Sequence, residues 1–376
     1  MFTLHATNFR VLRHFCWPLR PGVSVLSGAN GSGKTTTLLL LKVLRAAFDR
    51  GLPEAISAIG GSHNLRNHEA ASDEPIEIGI DVADLSWRVR LVPRGATVDY
   101  VSEERLARRD ETIVLRDALG NFFYRGERKE LGVSAARQLA LRWSSDNYPD
   151  DQEIECVAEV VRRIQVFYDP DIRGLRESGS KATENRHLHT HGRNVLTMLR
   201  DWRDRREDRV RFDFVDRGLR TAFPSVYDGM DFESGQTISA RIYRPGDEMP
   251  IPIWQEANGV LMMMVHLAEV ASADRHGFVA IDEPETAQHP FAIRCFLRAA
   301  RAWAKQRDVS IVLTTHSPVL LDEFRAEPEC ISVLERLENR DENTLPVQLD
   351  KLHDREWLAT YTLGELYVAG EFAANE

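Results

Sequence analysis

Four cysteines are all the chain has, and Cys16, Cys156, Cys295 and Cys330 stand too far apart for a CxxC pair. That spacing excludes a disulfide scaffold and a zinc ribbon, and predicts reduced, mostly buried thiols. Long apolar runs are missing too. Leu38–Leu41 and Leu261–Val265 fall far short of the roughly 18 residues that span a bilayer, so no membrane partner is expected. The start, Met1-Phe2-Thr3-Leu4, has no basic stretch leading into an apolar one, so no secretory signal is expected and the chain reads as cytoplasmic. No heptad pattern is sustained, which excludes a long coiled-coil arm. No N-K-x-D motif occurs, which argues against a GTPase.

What is present is ordinary globular material. With 376 residues, 43% apolar and 28% charged, the chain can fold as two domain-sized units or as one core with a large insertion. Its net charge of −10 is uneven: Arg173–Arg220 holds 13 Lys/Arg against 8 Asp/Glu, and Ser317–Glu376 holds 5 against 14. Such asymmetry allows different partners on different faces, including DNA or RNA at the basic stretch 173–220, where Arg186, Arg193 and the run Arg200–Arg211 stand. A solvated helix laced with its own ion pairs explains the same residues. Trp202, Phe212 and Phe214 are too few for base stacking, so sequence-specific reading is not expected.

Periodicity divides the chain. Strands are expected at Leu4–Phe9, Trp17–Leu19 and Gly22–Ser27, then a helix from Lys34 to about Gly51 carrying Leu38, Leu41, Leu44 and Phe48. Alternation at 76–80, 87–92 and 98–101, with a turn at Pro93-Arg94-Gly95, predicts a small antiparallel sheet. Residues from about 101 to 250 read as a mostly helical, charged insertion. Regularity returns with a helix after Asn258, a strand at Phe278–Ile281, a helix from Pro290 to about Lys305, and strands at Val309–Thr314 and Cys330–Leu334. Alternating strands and helices predict an α/β fold with a mainly parallel sheet, its core split between 1–100 and 251–340 and followed by an acidic tail at 341–376.

The segment Gly28-Ala29-Asn30-Gly31-Ser32-Gly33-Lys34-Thr35 satisfies G-x-x-x-x-G-K-[ST] between a strand and a helix. Glycines there let backbone N–H groups converge on phosphate oxygens, and the helix start turns its free N–H groups and positive dipole end the same way. Lys34 would add a charge at the β/γ oxygens and the Thr35 hydroxyl would reach Mg²⁺, with Thr36 beside it among the nucleotide contacts. The apolar run Phe278–Ile281 then leads into Asp282-Glu283: Asp282 would hold Mg²⁺ and Glu283 would orient or deprotonate the attacking water. His316, just past the run Leu313-Thr314-Thr315, would hydrogen-bond the terminal phosphate. The cofactors expected are ATP and Mg²⁺. His187-Leu188-His189-Thr190-His191 also offers imidazoles on one face, but without a nearby Cys or acidic ligand it reads as a loop.

These pieces together resemble the ABC-type P-loop ATPases of the Rad50/RecF/SMC-like and OLD-like group. The residues carrying the likeness are Asn8-Phe9-Arg10, GANGSGKT at 28–35, AIDEPETAQHP at 280–290 and TTHSPVLLD at 314–322. Trp357-Leu358, Tyr361 and Leu363-Gly364-Glu365-Leu366 resemble the end of stand-alone prokaryotic members. The resemblance covers about 1–50 and 250–376 well, and the middle loosely. It implies a homodimer in which two subunits sandwich two ATP molecules, each phosphate loop facing the partner's signature helix. The matching segment is Glu256-Ala257-Asn258-Gly259-Val260. The family's usual serine is replaced by Ala257, which leaves Asn258 and Gly259 to make the contact and implies slow turnover. The missing coiled coil separates the chain from full-length SMC or Rad50. The roughly 60 residues after His316 are too few for the Toprim nuclease of OLD proteins, so any nuclease or other effector is expected on a separate chain. The resemblance therefore implies an ATP-driven switch in DNA maintenance or anti-phage defence. The alternatives are a low-turnover ATP sensor regulating a toxin-like partner and, against the size of the insertion, a transporter ATPase subunit.

Overall fold

A computed structural model describes residues 2–61, 64–71, 74–91, 101–131, 138–182, 187–334 and 345–373. Val98–Tyr100 of the expected strand, the turn at 93–95 and Arg186 lie outside them.

The architecture is two large sheets with a helix between them, a helical layer behind and a third, smaller sheet. The first sheet has six strands in the order Ile164–Phe167, Phe278–Ile281, Ser310–Thr315, Gly22–Gly28, Ile331–Leu334 and Val347–Gln348. All neighbours run parallel except the last pair. Its strands read as continuous β-branched and apolar runs because both faces are covered. Val279, Ile281, Ile311 and Leu313 enter one core, while Phe278, Ala280 and Val312 enter the other, as a period of two requires.

The helix Lys34–Arg50 fills the gap between the sheets. Leu38, Leu41, Leu44 and Phe48 recur at helical spacing, are each at most 1% exposed, and pack with Leu26 and Val312 on one side and Leu4, Ile78 and Trp87 on the other. Gly51, at φ +93°, ends the helix. Trp17 Nε1 donates to Ser332 Oγ at 3.0 Å and ties the two sheets directly. On the opposite face of the parallel sheet lie Val195–Asp204, Arg209–Ala222, Asn258–Ser272 and Pro290–Arg307.

The antiparallel sheet is far larger than the sequence predicts. It has eight strands, in the order Leu12–Leu19, Phe2–Phe9, Ile76–Val82, Leu85–Leu91, Val101–Arg108, Glu111–Arg116, Phe122–Tyr124 and Glu127–Lys129. The expected helical start of the 101–250 insertion is therefore corrected to four strands. The physical reason is that Glu103-Glu104-Arg105 and Arg108-Arg109-Asp110-Glu111 run charged residues together, break the period-two pattern of a half-buried strand and read as a polar helix. Glu104 misleads further, because this carboxylate is buried inside the sheet. It accepts from Trp87 Nε1 at 3.1 Å and from the backbone N–H groups of Ala140 and Leu141, at the start of the next helix. A second correction concerns Ile164–Phe167, which joins the parallel sheet beside Phe278–Ile281. The middle of the chain is thus partly core. A third, small sheet pairs Thr237–Tyr243 with Ser180–Lys181, Gly229–Ser234 and Ile251–Pro252.

The chain beyond 345 returns to the body. Leu349, Leu358, Leu363, Leu366 and Phe372 are buried in the same core as the helical layer. The four cysteines are free thiols, with Cys295 buried, Cys16 and Cys330 half-buried and Cys156 exposed. Among the described residues no helix is long and apolar enough to cross a membrane.

Candidate nucleotide site

The strand Gly22–Gly28 ends beside Leu334, and a Cβ on Gly28 would lie 2.5 Å from Leu334 O and 2.6 Å from Ser32 Oγ. Gly31 and Gly33 take φ of +78° and +112°, values that L residues rarely adopt. The loop therefore needs its glycines where the sequence has them. No side chain caps the following helix, which leaves its first N–H groups turned into the loop. Asn30, Gly31 and Thr35 are exposed at the mouth. Lys34 is only 5% exposed, and its Nζ donates to Gly28 O at 2.8 Å and Ala29 O at 2.9 Å. Burial pushes its ammonium down to about 8, against the opposing pull of Glu283, Asp282 and Glu285. The Ser32 hydroxyl is buried without a hydrogen-bond partner among the described residues. An uncapped helix start, a glycine cradle and a compressed cation together fit a polyphosphate.

The acids follow the strand Phe278–Ile281, separated from the phosphate-loop strand by Ser310–Thr315. Asp282 Oδ1 accepts from Thr314 Oγ1 at 2.5 Å, and Asp282 Oδ2 lies 3.4 Å from Thr35 Oγ1. Thr314 Oγ1 in turn accepts from the Glu283 backbone N–H at 3.0 Å. Thr35 and Asp282 thus present two hard oxygen donors side by side, and no cluster of His, Cys, Asp or Glu suited to a softer metal occurs among the described residues. That donor set fits Mg²⁺, which takes one or two protein oxygens and keeps its waters. Glu283 sits at φ +42°, a left-handed conformation strained for a non-glycine residue. Its Oε1 lies 3.6 Å from His316 Nε2.

His316 is held from several sides. Its backbone N–H and the Thr315 hydroxyl donate to Glu285 Oε1 at 2.8 and 2.7 Å. The Glu285 carboxyl is raised above its ordinary pKa by burial, and its second oxygen is buried without a partner among the described residues. His316 Nδ1 lies 3.0 Å from the Tyr367 hydroxyl. Burial, then the Lys34 charge, hold the imidazole below its usual pKa. Sequence reasoning missed Thr314, Glu285 and Tyr367 as site residues. Thr314 and Glu285 lie inside the quoted motifs and could have been found; Tyr367 follows the quoted Leu363-Gly364-Glu365-Leu366, but nothing local ties it to His316.

The structure brings together Gly28–Thr36, Asp282, Glu283 and His316 at the carboxyl edge of the sheet, where α/β folds place ligands. Asn258 and Gly259 are elsewhere. They open a helix on the other face of the parallel sheet, with Ala257 at its cap position and no side-chain cap. Ala257 and Asn258 are exposed. Arg176, also missed, donates to Glu256 O and to Asn258 Oδ1, each at 2.7 Å, and Gln288 Nε2 donates to Gly259 O at 3.0 Å.

The basic stretch has its own partners. Arg173 pairs with Glu177, Arg193 with Asp171, Arg203 with Asp231, Arg209 with Asp213, Arg211 with Asp274 and Arg220 with Asp216. His191 Nδ1 lies 2.9 Å from Tyr168 O and 3.0 Å from Asp169 O, so it serves a loop.

Fold and site define a P-loop nucleotide-binding protein. The chain belongs to the family AAA_21, described as "AAA domain, putative AbiEii toxin, Type IV TA system", whose model matches residues 23–322. No curated protein matches it. Among solved structures it is similar to an SMC head bound to the C-winged helix domain of ScpA (15% identity, TM-score 0.48, 93% of this chain and 99% of that one). It is also similar to the SMC head domain from Thermotoga maritima (14%, 0.44, 92% and 98%). A third is a Smc head domain with an extended coiled coil bound to the C-terminal domain of ScpA derived from Pyrococcus furiosus (12%, 0.46, 93% and 98%). Likeness of this degree says nothing about function.

Proposed function

We propose that this chain is an ATP-binding and ATP-hydrolysing switch that closes as a homodimer around two nucleotides. In this reading it acts through a separate effector or nuclease in DNA maintenance or anti-phage defence. The observation that carries the reading is the division of the site: a phosphate cradle complete with acids and histidine at one sheet edge, and an exposed, uncapped helix start at Asn258 on the other face. The backbone N–H groups of 28–35 and Lys34 would bind the β- and γ-phosphates. Mg²⁺, held by Thr35 and Asp282, would supply charge neutralisation at those oxygens. Glu283 would orient or deprotonate the attacking water, and His316 would donate to the terminal phosphate. Asn258 and Gly259 would reach the partner's nucleotide. The toxin–antitoxin wording of the family description supports an effector partner over a membrane permease. Contact with DNA or RNA through 173–220 draws no support from arginines that already face carboxylates.

Glu283→Gln tests the dimer. With ATP and Mg²⁺ its mass by light scattering should double and fall back when nucleotide is removed. A mass that stays monomeric refutes the sandwich.

Ala257 favours a second reading, a low-turnover ATP sensor that regulates a toxin-like partner. Multiple-turnover ATPase rates of wild type beside Lys34→Ala separate the two, since indistinguishable rates favour the sensor.

A further inference from the structure

The tail helix Leu363–Val368 is built into the nucleotide site through one hydroxyl. Its start carries a capping box between Thr362 and Glu365. Gly364 N–H donates to Asp322 Oδ1 at 2.7 Å, and a Cβ at Gly364 would lie 2.9 Å from Pro318 O, so only glycine permits the close approach to the turn after His316. Leu363, Leu366 and Phe372 bury the helix against the body, and the Tyr367 ring lies 5.9 Å from that of Phe372. Tyr367 is thus placed from both ends, with its hydroxyl 3.0 Å from His316 Nδ1.

The two ring nitrogens of His316 face different chemistry. Nε2 faces the Glu283 carboxylate at 3.6 Å, which when ionised only accepts. Nδ1 faces a phenol, which can donate or accept. A neutral imidazole has one N–H and one lone pair, so the assignment that satisfies both neighbours puts the proton on Nε2 and makes Nδ1 the acceptor. Burial keeps the Tyr367 hydroxyl above its ordinary pKa and the His316 ring below its own, which keeps the phenol a donor and the ring neutral.

We propose that Tyr367 is a positioning residue for His316, donating to Nδ1 so that the ring presents Nε2–H toward Glu283 and the terminal phosphate. The phosphate part rests on the function proposed above; the tautomer does not. Without the phenol the proton can move to Nδ1, and Nε2 then turns a lone pair toward anionic oxygens. The tail therefore sets whether His316 attracts or repels the γ-phosphate.

Long-range ¹H–¹⁵N correlation on the ¹⁵N-histidine-labelled full chain, without nucleotide, reads the tautomer directly. His316 is assigned from the signal lost in His316→Ala. Wild type should show Nε2–H with a bare Nδ1, and Tyr367→Phe should shift the ring toward a tautomer mixture. Wild type with Nδ1–H, or a ring unchanged in Tyr367→Phe, overturns the proposal whether or not the chain hydrolyses ATP. In the ATPase arm, Tyr367→Phe should lower kcat by about tenfold with ATP affinity unchanged, and should add nothing in a His316→Ala background. Equal losses from Tyr367→Phe with and without His316 would show a structural role and also overturn it.

Discussion

The phosphate loop and the segment Glu256–Val260 are both helix beginnings, yet the chain completes one and only presents the other. Around Lys34 everything converges. The ammonium is buried, its carbonyl partners belong to its own loop, and Asp282, Glu283 and His316 arrive from two adjacent strands. Around Asn258 the support is from beneath: Arg176 and Gln288 fix the backbone and the amide side chain, and the helix start faces outward. A helix start with no side-chain cap turns its first N–H groups and positive dipole end outward, a geometry suited to an anion. In the proposed function the difference would separate two jobs, holding a nucleotide and sensing one held by the partner, and mutations should pull them apart.

The largest effect is expected at Lys34→Ala, which should weaken ATP binding by about 100-fold or more in a fluorescent-nucleotide titration, because a buried charge leaves the phosphates. Loss at the presented end should spare binding. Gly259→Asp sets a carboxylate against the incoming phosphate, and kcat should fall about 30-fold while the monomer's ATP affinity changes less than about twofold. If binding falls in parallel, the two helix starts are not separate in function. Ala257→Ser restores a hydroxyl at the cap and should raise kcat about threefold, measured by phosphate release. The smallest expected effect concerns protons. Burial pushes the Lys34 ammonium well below the ordinary lysine range, to about 8. At pH 8 about half of the population is neutral, and bound phosphate raises the pKa, so ATP binding should take up to about half a proton. Uptake means that affinity weakens as pH rises through 8. Calorimetry in buffers of different ionisation heat reads both.

What could be read from the residues divides along the same line. The positions of the phosphate loop, Asp282-Glu283 and His316 are legible because each expected role needs a fixed local spacing at the end of an apolar strand. The helix at Asn258 is legible for the same reason. The far half of the eight-stranded sheet, Val101 to Lys129, is not, since charged runs such as Glu103-Glu104-Arg105 break the period-two pattern and its interior hides Glu104. Ile164–Phe167 is too short, and Gln165 too polar, to announce a core strand. Arg176 meets Asn258, and Tyr367 meets His316, across long stretches of chain, and hydrogen bonds of that range leave no pattern along a sequence.

The order of the parallel strands has a kinetic consequence. Gly22–Gly28, made early, is flanked by Ser310–Thr315 and Ile331–Leu334, made late, with Gly22 opposite Ser310. During synthesis the phosphate loop leaves the ribosome with neither neighbour available, and the nascent chain must keep an apolar strand unpaired until Ser310–Thr315 and Ile331–Leu334 emerge. Pairing of such separation closes slowly. If the loop binds ATP as proposed, its flanking strands are in place only once residues 310–334 have been made, so nucleotide binding would follow the closure of this long-range pairing.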